Sequence, residues 1–298
     1  MLPKVSVAII TYNQKQYLYE CIESVLSQDY PNLEIVVADD CSTDGTQDML
    51  KSYQAKYPSL FKLILSEKNE GITSNSNKAF FACSGKYIAW MGGDDLMLPG
   101  KLIKQVMYLE ERPLHVLCYH DLEVFDSNTG KILRYYNSGR GRIRPREGSG
   151  YKLIRYADFM GASSVMTRRL ACPKDGFDLR LPIASDWLFW IETAINGYIG
   201  YIPEVLGRYR IHQNNISIHR SGDCFEEMLT LAIIESKYPH LVKHCRPARA
   251  RILYSFAVNK ILENQGNLGR QLLVESLKYG WVSWKWIGWL LISYKKDL

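Results

Sequence analysis

Residues 33–46, LEIVVADDCSTDGT, set the fold class, because a strand pattern runs directly into two carboxylates and a turn. The apolar run Leu33–Ala38 predicts a strand that is buried on both faces. A helix is predicted from Thr46 to about Lys56, and Asp44 stands where a capping residue is favoured. A strand followed at once by a helix is the repeating unit of a sheet that carries helices on its faces.

The same alternation continues on both sides of this stretch. Further strands are predicted at Val5–Ile10, Phe61–Leu65 and Tyr87–Met91, and further helices near residues 17–26, 74–83 and 99–111, with Asn13 as a candidate cap of the first. This order predicts an α/β fold with a mainly parallel sheet flanked by helices. A hairpin pattern follows after residue 115, and the chain has a helical pattern from Asp223 to its end.

The charge distribution argues against a nucleic-acid binder. The chain has 298 residues, of which 47% are hydrophobic and 23% charged, so it can form one large domain or two average ones. Its net charge is +6, but residues 1–236 carry 26 Lys and Arg against 28 Asp and Glu, whereas residues 237–298 carry 11 against 3. The basic excess therefore lies in the last fifth of the chain, beside a tryptophan-rich segment.

Cysteine usage and hydropathy favour a cytoplasmic protein. The seven cysteines are an odd number without a Cys-x-x-Cys pair, which argues against a disulfide framework or a zinc ribbon. The apolar run at residues 5–10 is too short for a secretory signal, and no uncharged apolar run reaches 18 residues. We expect a cytoplasmic location, peripheral to the membrane.

Two pairs of carboxylates follow two of the predicted strands. Asp39-Asp40 come directly after Leu33–Ala38, and Asp94-Asp95 follow Tyr87–Met91 with two glycines between. Ligands of a parallel sheet bind beyond the carboxyl ends of its strands, and adjacent carboxylates are costly unless a cation or hydrogen-bond donors neutralise them. The pattern is typical of a cation site that binds phosphate, although capping and turn formation alone would also explain each pair.

An ordered set of motifs resembles glycosyltransferase family 2 over roughly residues 3–215. The motifs are VSVAIITYN at 5–13, I-x-SVLSQ at 22–28, VVADDCSTDGT at 36–46, Asn69-x-Gly71, Asn77, GKYI at 85–88 and GDD-x-x-x-P at 93–99. The resemblance implies the GT-A fold and inverting transfer of a sugar from a nucleotide-sugar.

The resemblance also implies roles for individual residues. It assigns Thr11, Tyr12, Asp40, Asn77 and Asp94 to the nucleotide-sugar, with Tyr12 against the base, Asp40 as the base's hydrogen-bond acceptor and Asp94 on the ribose. It assigns Asp95 to a Mn²⁺ or Mg²⁺ ion on the diphosphate. Gly92 replaces the first Asp of the family's common Asp-x-Asp-Asp form, and Ser76 replaces a frequent Arg, so one metal ligand and one phosphate contact are missing.

Asp186 is the candidate catalytic base. Inverting transfer needs one carboxylate to take the proton of the acceptor hydroxyl, and a metal ion can stabilise the leaving diphosphate. Asp186 begins a helical pattern in ASDWLFW at 184–190; the residues alone favour a helix cap, and the resemblance implies the base. Trp190 is expected in the core, whereas Trp187 could pack there or form a sugar platform.

Three further segments have two interpretations each. Tyr209–His212 resembles the family's Arg-x-His element, which implies that His212 binds the metal, although an ordinary loop histidine is as compatible with the residues. The arginine-rich stretch Arg140–Arg146 suits a loop over the diphosphate or an anionic acceptor, and a solvated loop equally. By resemblance alone, Gly161–Ser164 is expected to line the acceptor side.

The segment 278–292 contains four of the seven tryptophans, flanked by lysines. This composition is typical of helices at a membrane interface, and docking on its own domain or on a dimer partner is the alternative. We predict a GT-A domain at 1–220, with a donor half at 1–125 and an acceptor half at 126–220. A helical region would occupy 221–298.

These features together predict a metal-dependent inverting glycosyltransferase of cell-surface polysaccharide synthesis. The donor is expected to be a UDP-sugar, or alternatively a dTDP-sugar, and the acceptor a glycan or lipid-linked hydroxyl at the inner face of the cytoplasmic membrane. A homodimer is possible. The alternatives are a sugar-phosphate nucleotidyltransferase, which would want a Gly-rich loop where Thr11–Gln14 stands, and a non-catalytic sugar- or membrane-binding protein.

Overall fold

The computed structural model describes residues 2–139, 143–157, 159–215, 224–280 and 283–295. The chain divides into two compact units. The larger unit comprises residues 1–152 and 158–215, and the smaller unit comprises residues 153–157 and 216–298.

In its described residues, the larger unit contains ten strands and the first six α-helices of the chain. The strands are β1 (Val5–Thr11), β2 (Leu33–Asp39), β3 (Phe61–Leu65), β4 (Tyr87–Gly92), β5 (Leu96–Met97), β6 (His115–Asp126), β7 (Ile132–Tyr135), β8 (Gly148–Ser149), β9 (Met166–Arg168) and β10 (Tyr198–Ile211). The helices are α1 (Lys15–Leu26), α2 (Thr46–Lys56), α3 (Ile72–Ala82), α4 (Lys101–Glu110), α5 (Tyr151–Tyr156), which runs on into the smaller unit, and α6 (Ser185–Ala194).

All ten strands form one sheet, in the order β3-β2-β1-β4-β9-β6-β10-β5, with β7 paired to β6 and β8 to β10. The pairs β1–β2, β1–β4 and β2–β3 are parallel. Strand β9 is antiparallel to both β4 and β6. Thr11 of β1 pairs with Asp39 of β2, and Ile10 pairs with Gly92 of β4. This register brings the carboxyl ends of three strands to one edge and confirms the predicted α/β GT-A architecture.

The core forms where the apolar runs of β1, β2 and β4 are covered on both faces. Helix α1 presents Leu18, Cys21, Ile22 and Val25 to this core, all fully buried, at the i, i+3, i+4, i+7 spacing of one helix face. Each such side chain contributes about 1.5–3 kcal/mol when buried. The packed core therefore keeps the sheet edge that carries the acidic pairs rigid.

Asp44 joins the beginnings of two helices. Its Oδ1 accepts a hydrogen bond from the Thr46 backbone N–H (3.0 Å), and its Oδ2 accepts one from the Lys15 N–H (2.9 Å). The N-cap of α2 is Gly45, so the predicted capping position of Asp44 is wrong by one residue. The prediction that Asn13 caps α1 is wrong. Asn13 has a φ of 52°, and its side-chain oxygen accepts from the Thr43 N–H (2.8 Å), because the Asp44 carboxylate already occupies the first turn of α1.

The smaller unit is helical in its described residues. It contains α7 (Phe225–Lys237), α8 (Val242–Leu262), α9 (Gly266–Leu277) and α10 (Trp286–Lys295). Ala257, Ile261 and Leu273 form one of its buried clusters, on which Trp286 and Trp289 pack. A Cβ at Gly269 would lie 2.4 Å from Ile261 Cγ1, so a glycine at this position lets α8 and α9 approach closely.

Two further features of the chain bear on its environment. Within the described ranges, no helix combines the length and apolar character needed to cross a membrane. Five of the seven cysteines are buried.

Candidate active site

The carboxyl edge of the sheet gathers the side chains that the sequence singled out. Tyr12 directly follows β1 and has 47% of its surface exposed, so its ring is available to a ligand. Thr11, Asp40 and Asp95 are buried at the same edge, each with about 3% exposure. The edge therefore offers one exposed aromatic ring beside several buried polar groups.

The chain itself neutralises the first acidic pair. Asp39 Oδ2 accepts hydrogen bonds from the Ser42 backbone N–H and from the Gln47 side-chain amide, both at 2.9 Å. Asp40 accepts one from the Glu70 N–H (2.9 Å) and one from the Gly71 N–H (2.8 Å). These contacts tie the loop after β2 to α2 and to the start of α3. The pair needs no cation, and Asp40 would contact a nucleobase only with the lone pairs that remain.

The second acidic pair lies in a different environment. Asp95 Oδ1 accepts a hydrogen bond from the Arg210 backbone N–H (2.9 Å), and its Oδ2 accepts one from the Ser163 hydroxyl (2.5 Å). Burial and the neighbouring Asp94 carboxylate raise the pKa of Asp95 to about 8. A second negative charge is thus unfavourable here unless a cation is close.

A buried lysine supports this pair. Lys101, in the first turn of α4, is fully buried, and its Nζ donates to the Ser163 carbonyl (2.5 Å). Burial lowers the pKa of Lys101 to about 7. The sequence analysis missed this residue. A cation at the positive end of a helix dipole is unfavourable. A lysine in the first turn of α4 could therefore have indicated that other groups of the chain bind it.

Asp94 and His212 face each other. The Asp94 Oδ2 atom lies 3.0 Å from His212 Nε2 and 3.4 Å from Asn215 Nδ2, although 118 residues separate the aspartate from the histidine. His212 Nδ1 lies 3.2 Å from the Asn214 backbone nitrogen, so Nε2 is the ring nitrogen that faces Asp94. One carboxylate oxygen and one imidazole nitrogen thus meet at the sheet edge.

Arg210 and Tyr17 position the histidine. The Tyr17 ring packs on the His212 ring with a centroid distance of 4.7 Å, and the Arg210 guanidinium lies 4.8 Å from the Tyr17 centroid. Arg210 is 3% exposed; it forms an ion pair with Glu20 (2.6 Å) and donates from Nε to the Asp94 carbonyl (2.7 Å). The arginine of the Arg-x-His element therefore builds the site, and its guanidinium is directed at Glu20 and the Asp94 backbone.

Asp186 lies half-buried in the first turn of α6. Its Oδ1 accepts from the Trp187 N–H (2.9 Å), and the preceding Ser185 hydroxyl hydrogen-bonds to Thr73 of α3 (2.9 Å). Thr73 also donates to the Leu181 carbonyl (2.6 Å), so α3 holds the start of α6 in place. This arrangement provides a carboxylate on a fixed helix end.

The two tryptophans near Asp186 belong to the core. Trp190 is 1% exposed, as predicted, and its ring lies 5.4 Å from Trp90 and 5.3 Å from Phe189. Trp187 is 5% exposed, so the interpretation as a sugar platform is wrong. Both rings fill the space under α6.

The Asn77 side chain hydrogen-bonds to the backbone of another segment. Its side-chain amide donates to the Phe177 carbonyl (2.9 Å) and accepts from the Phe177 N–H (2.7 Å). A Cβ at Gly176 would lie 2.2 Å from Asn77 Oδ1, which shows how closely the two segments approach. The assignment of Asn77 to the nucleotide-sugar stays a prediction, without support from these contacts.

The remaining predicted segments are described in part. Ser163, in the stretch 161–164, accepts from the Gly92 N–H (3.0 Å) as well as donating to Asp95, so it joins the acceptor-side stretch to the end of β4. Of the arginine-rich stretch, residues 140–142 lie outside the described residues. The Arg146 N–H donates to the Tyr119 hydroxyl (2.7 Å). These contacts do not assign the stretch to a ligand.

The donor set at Asp94 and His212 suits a divalent cation. Mn²⁺ and Mg²⁺ accept carboxylate oxygens, Mn²⁺ also accepts imidazole nitrogen, and a cation on a diphosphate needs only one or two protein ligands. In the part of the chain that the structure describes, no three or more His, Cys, Asp or Glu side chains are grouped to hold a metal. The residues present therefore fit a cation that shares its coordination with phosphate oxygens.

Comparison with known proteins identifies a family and a fold. The family model described as glycosyl transferase family 2 matches residues 6–171. The uncharacterized protein Rv1520 of Mycobacterium tuberculosis is 32% identical over 281 residues, which is 91% of this chain and 79% of that protein. The putative teichuronic acid biosynthesis glycosyltransferase TuaG of Bacillus subtilis is 38% identical over 73% of this chain and 83% of its own length.

Two solved structures share the fold. S. aureus TarS 1–349 in complex with UDP-GlcNAc has a TM-score of 0.68 at 19% identity, covering 99% of this chain and 88% of that one. The mannosyltransferase PcManGT from Pyrobaculum calidifontis, in complex with GDP-Man and Mn²⁺, has a TM-score of 0.61 at 18% identity, covering 99% and 85%. At these identities the likeness shows the fold alone.

Proposed function

The chain belongs to glycosyltransferase family 2, and from this we propose that it moves a sugar, with inversion, from a nucleoside-diphosphate sugar to an acceptor hydroxyl in cell-surface polysaccharide synthesis. We take a UDP-sugar as the donor, with a dTDP-sugar as the alternative. A glycan or a lipid-linked sugar at the inner face of the cytoplasmic membrane would be the acceptor. Family membership favours this proposal over a nucleotidyltransferase or a non-catalytic binding protein.

The observation that carries the proposal is the contact between Asp94 and His212 at the sheet edge. We assign these two residues to a Mn²⁺ or Mg²⁺ ion, which supplies charge neutralisation for the departing diphosphate. The resemblance implied Asp95 as the metal ligand and Asp94 on the ribose. The geometry favours Asp94 as the ligand, because Asp95 is buried and both its oxygens already accept hydrogen bonds.

The other residues of the site bind and orient the substrates in this proposal. The exposed Tyr12 ring packs on the base of the donor, near the loop that Asp40 ties to Gly71. Asp186 accepts the proton of the acceptor hydroxyl as that oxygen attacks the anomeric carbon. Because α3 fixes the start of α6 through Thr73, the carboxylate keeps its position between turnovers.

A panel of nucleotide-sugars tests the proposal. The purified chain is incubated with UDP-, dTDP- and GDP-sugars in Mn²⁺, Mg²⁺ or EDTA, and release of the nucleoside diphosphate is measured. We expect slow hydrolysis of one donor class that requires the cation. Equal release with and without EDTA would contradict the cation assignment, and no release from any donor would contradict the proposed enzyme.

A further inference from the structure

Helix α10 has one face that no described part of the smaller unit covers. Trp286 and Trp289 pack on the core of the smaller unit, and the Trp286 indole N–H donates to the Leu273 carbonyl (3.0 Å). On the opposite face Ile287 and Leu291 are 57% and 61% exposed, and Trp284 just before the helix is 78% exposed. Residues 286–294 contain no charged side chain. An apolar helix exposed along one face is typical of a surface that binds a partner or a membrane.

A basic cavity lies in the same unit. Arg246, Arg249 and Lys278 line a cavity of about 380 Å³, together with Tyr279 and Glu235. Arg249 forms an ion pair with Glu235 (2.8 Å) and Lys278 one with Glu275 (2.6 Å). Arg246 donates to the Lys278 carbonyl (3.0 Å) and, within the described ranges, has no carboxylate partner. The cavity therefore keeps a net positive charge, which suits a phosphate group.

The cavity and the apolar face are close along the chain. The Leu273 carbonyl accepts the hydrogen bond from Trp286. Lys278 lies five residues beyond Leu273, a distance of about 7 Å along a helix. Lys285 directly precedes α10. Lys278 and Lys285 thus lie near the beginning of α10, and lysines beside an apolar helix are typical of an interfacial helix.

We propose that the smaller unit binds the surface of an anionic phospholipid bilayer. The exposed face of α10 inserts at the level of the headgroups, and the cavity lined by Arg246, Arg249 and Lys278 receives a headgroup phosphate. This inference deepens the proposed membrane location of the enzyme and rests on that part of the proposed function. Because no described helix is long and apolar enough to cross a membrane, α10 would lie in the plane of the interface.

Charge favours a membrane over a second copy of the chain. Residues 237–298 carry 11 Lys and Arg against 3 Asp and Glu. Two copies that met through α10 would bring two such basic segments together, and like charges oppose that contact. An anionic leaflet has the complementary charge. Each basic residue near its surface raises the binding affinity by a factor of about five.

Vesicle flotation with the full chain tests the proposal. The vesicles are phosphatidylcholine alone or phosphatidylcholine mixed with phosphatidylglycerol, at low and high salt. The variants are Ile287→Ser with Leu291→Ser, and Lys278→Gln with Lys285→Gln. The matched control is Leu170→Ser with Leu179→Ser, since these leucines of the larger unit are 92% and 67% exposed.

We expect binding to the anionic vesicles that weakens with salt. The serine pair on α10 should lower the affinity by about tenfold or more. The lysine pair should lower it by about 25-fold, and the control should leave it unchanged. Equal binding by all variants, absent binding by the wild type, or equal binding to neutral vesicles would overturn the proposal. So would a dimer, detected by light scattering, that the Ile287 and Leu291 substitutions dissociate.

Donor hydrolysis measured without vesicles separates this inference from the proposed enzyme. The Ile287 and Leu291 variant should hydrolyse the donor at the wild-type rate while its vesicle binding falls. A chain that hydrolyses the donor without binding vesicles refutes the membrane surface alone. A chain that binds vesicles as expected but hydrolyses no donor refutes the proposed enzyme and leaves the surface supported.

Discussion

The two acidic pairs occupy equivalent places in the fold and have different surroundings. Asp39-Asp40 and Asp94-Asp95 each follow a parallel strand at the same edge of the sheet. Backbone and side-chain donors from the chain surround the buried first pair. In the second pair Asp94 is half-buried and faces a histidine, and the pKa of the buried Asp95 is raised. The groups that reach such a pair from elsewhere in the chain therefore decide whether it is structural or functional.

Asp186, the proposed base, belongs to neither pair and gives the largest expected effect. Asp186→Asn should lower sugar transfer by about 10³-fold, because an amide cannot accept the proton. Donor binding and the cation requirement should be retained, since Asp94 and His212 are unchanged. Product formation at saturating donor, together with titration of the nucleoside diphosphate, checks this. Transfer at the wild-type rate would remove Asp186 from the base role.

Replacing Asp94, the more exposed carboxylate of the second pair, should distinguish the roles of the two pairs most clearly. Asp94→Asn should lower kcat/KM by about 10²- to 10³-fold, because the cation loses a charged ligand and stabilises the leaving diphosphate less. The Tm should stay close to that of the wild type, since Asp94 is partly exposed. Kinetics at varied Mn²⁺ and a thermal melt provide the readouts. A large fall in Tm with normal kinetics would place Asp94 with the first pair.

The first pair should give the reverse result. Asp39→Asn should destabilise the fold by about 2 kcal/mol, because an amide NH₂ replaces one of the two buried oxygens that accept hydrogen bonds from Ser42 and Gln47. At temperatures where the variant is folded, its Mn²⁺ dependence should match the wild type. Urea unfolding and donor hydrolysis measure the two effects. Loss of Mn²⁺ stimulation in a fully folded variant would contradict the structural role of the first pair.

Glu34 extends the comparison to a third carboxylate that the chain satisfies. Burial raises the pKa of Glu34, but hydrogen bonds from Lys4, Ser6 and Ser84 outweigh burial and lower it to about 2. The ionised form is stabilised by folding, so its contribution is full above pH 4.5 and is lost as the pH falls toward 2. Glu34→Gln should therefore lower the free energy of unfolding by about 2 kcal/mol at pH 7.

Urea unfolding of wild type and Glu34→Gln at pH 7, 4 and 2.5 checks the sign. The difference between the two proteins should shrink as the pH falls, and donor hydrolysis at pH 7 should be unchanged. A difference that stays constant over this range would show that the charge of Glu34 does not contribute.

The sequence predicted the strands well, because buried apolar runs are a local signal. Val5–Ile10, Leu33–Ala38 and Tyr87–Met91 each end within one residue of the observed strand. The fold class and the burial of Trp190 followed from the same kind of pattern. The short strand β9 was missed, because three residues carry too little periodicity to predict a strand between β4 and β6.

The site could be predicted as a set of residues but not as a set of contacts. Asp94 and His212 were both chosen from motifs, yet only the return of β10 to the sheet shows that they meet. Asn77 has the residue type of a donor contact, whereas its amide holds Phe177, 100 residues away. Lys101 was missed because its partner, the Ser163 carbonyl, is 62 residues away in the sequence. Partners distant in sequence determine these roles, and local pattern does not report them.

Nitrogen hyperfine coupling to bound Mn²⁺ tests the central assignment most directly. In pulsed electron paramagnetic resonance of the full chain with Mn²⁺ and UDP, the account predicts a directly coordinated imidazole nitrogen. This coupling should disappear in His212→Gln and persist in Asp39→Asn. A Mn²⁺ complex without nitrogen coupling in the wild type, or with the same coupling in His212→Gln, would contradict the assignment of the cation to Asp94 and His212.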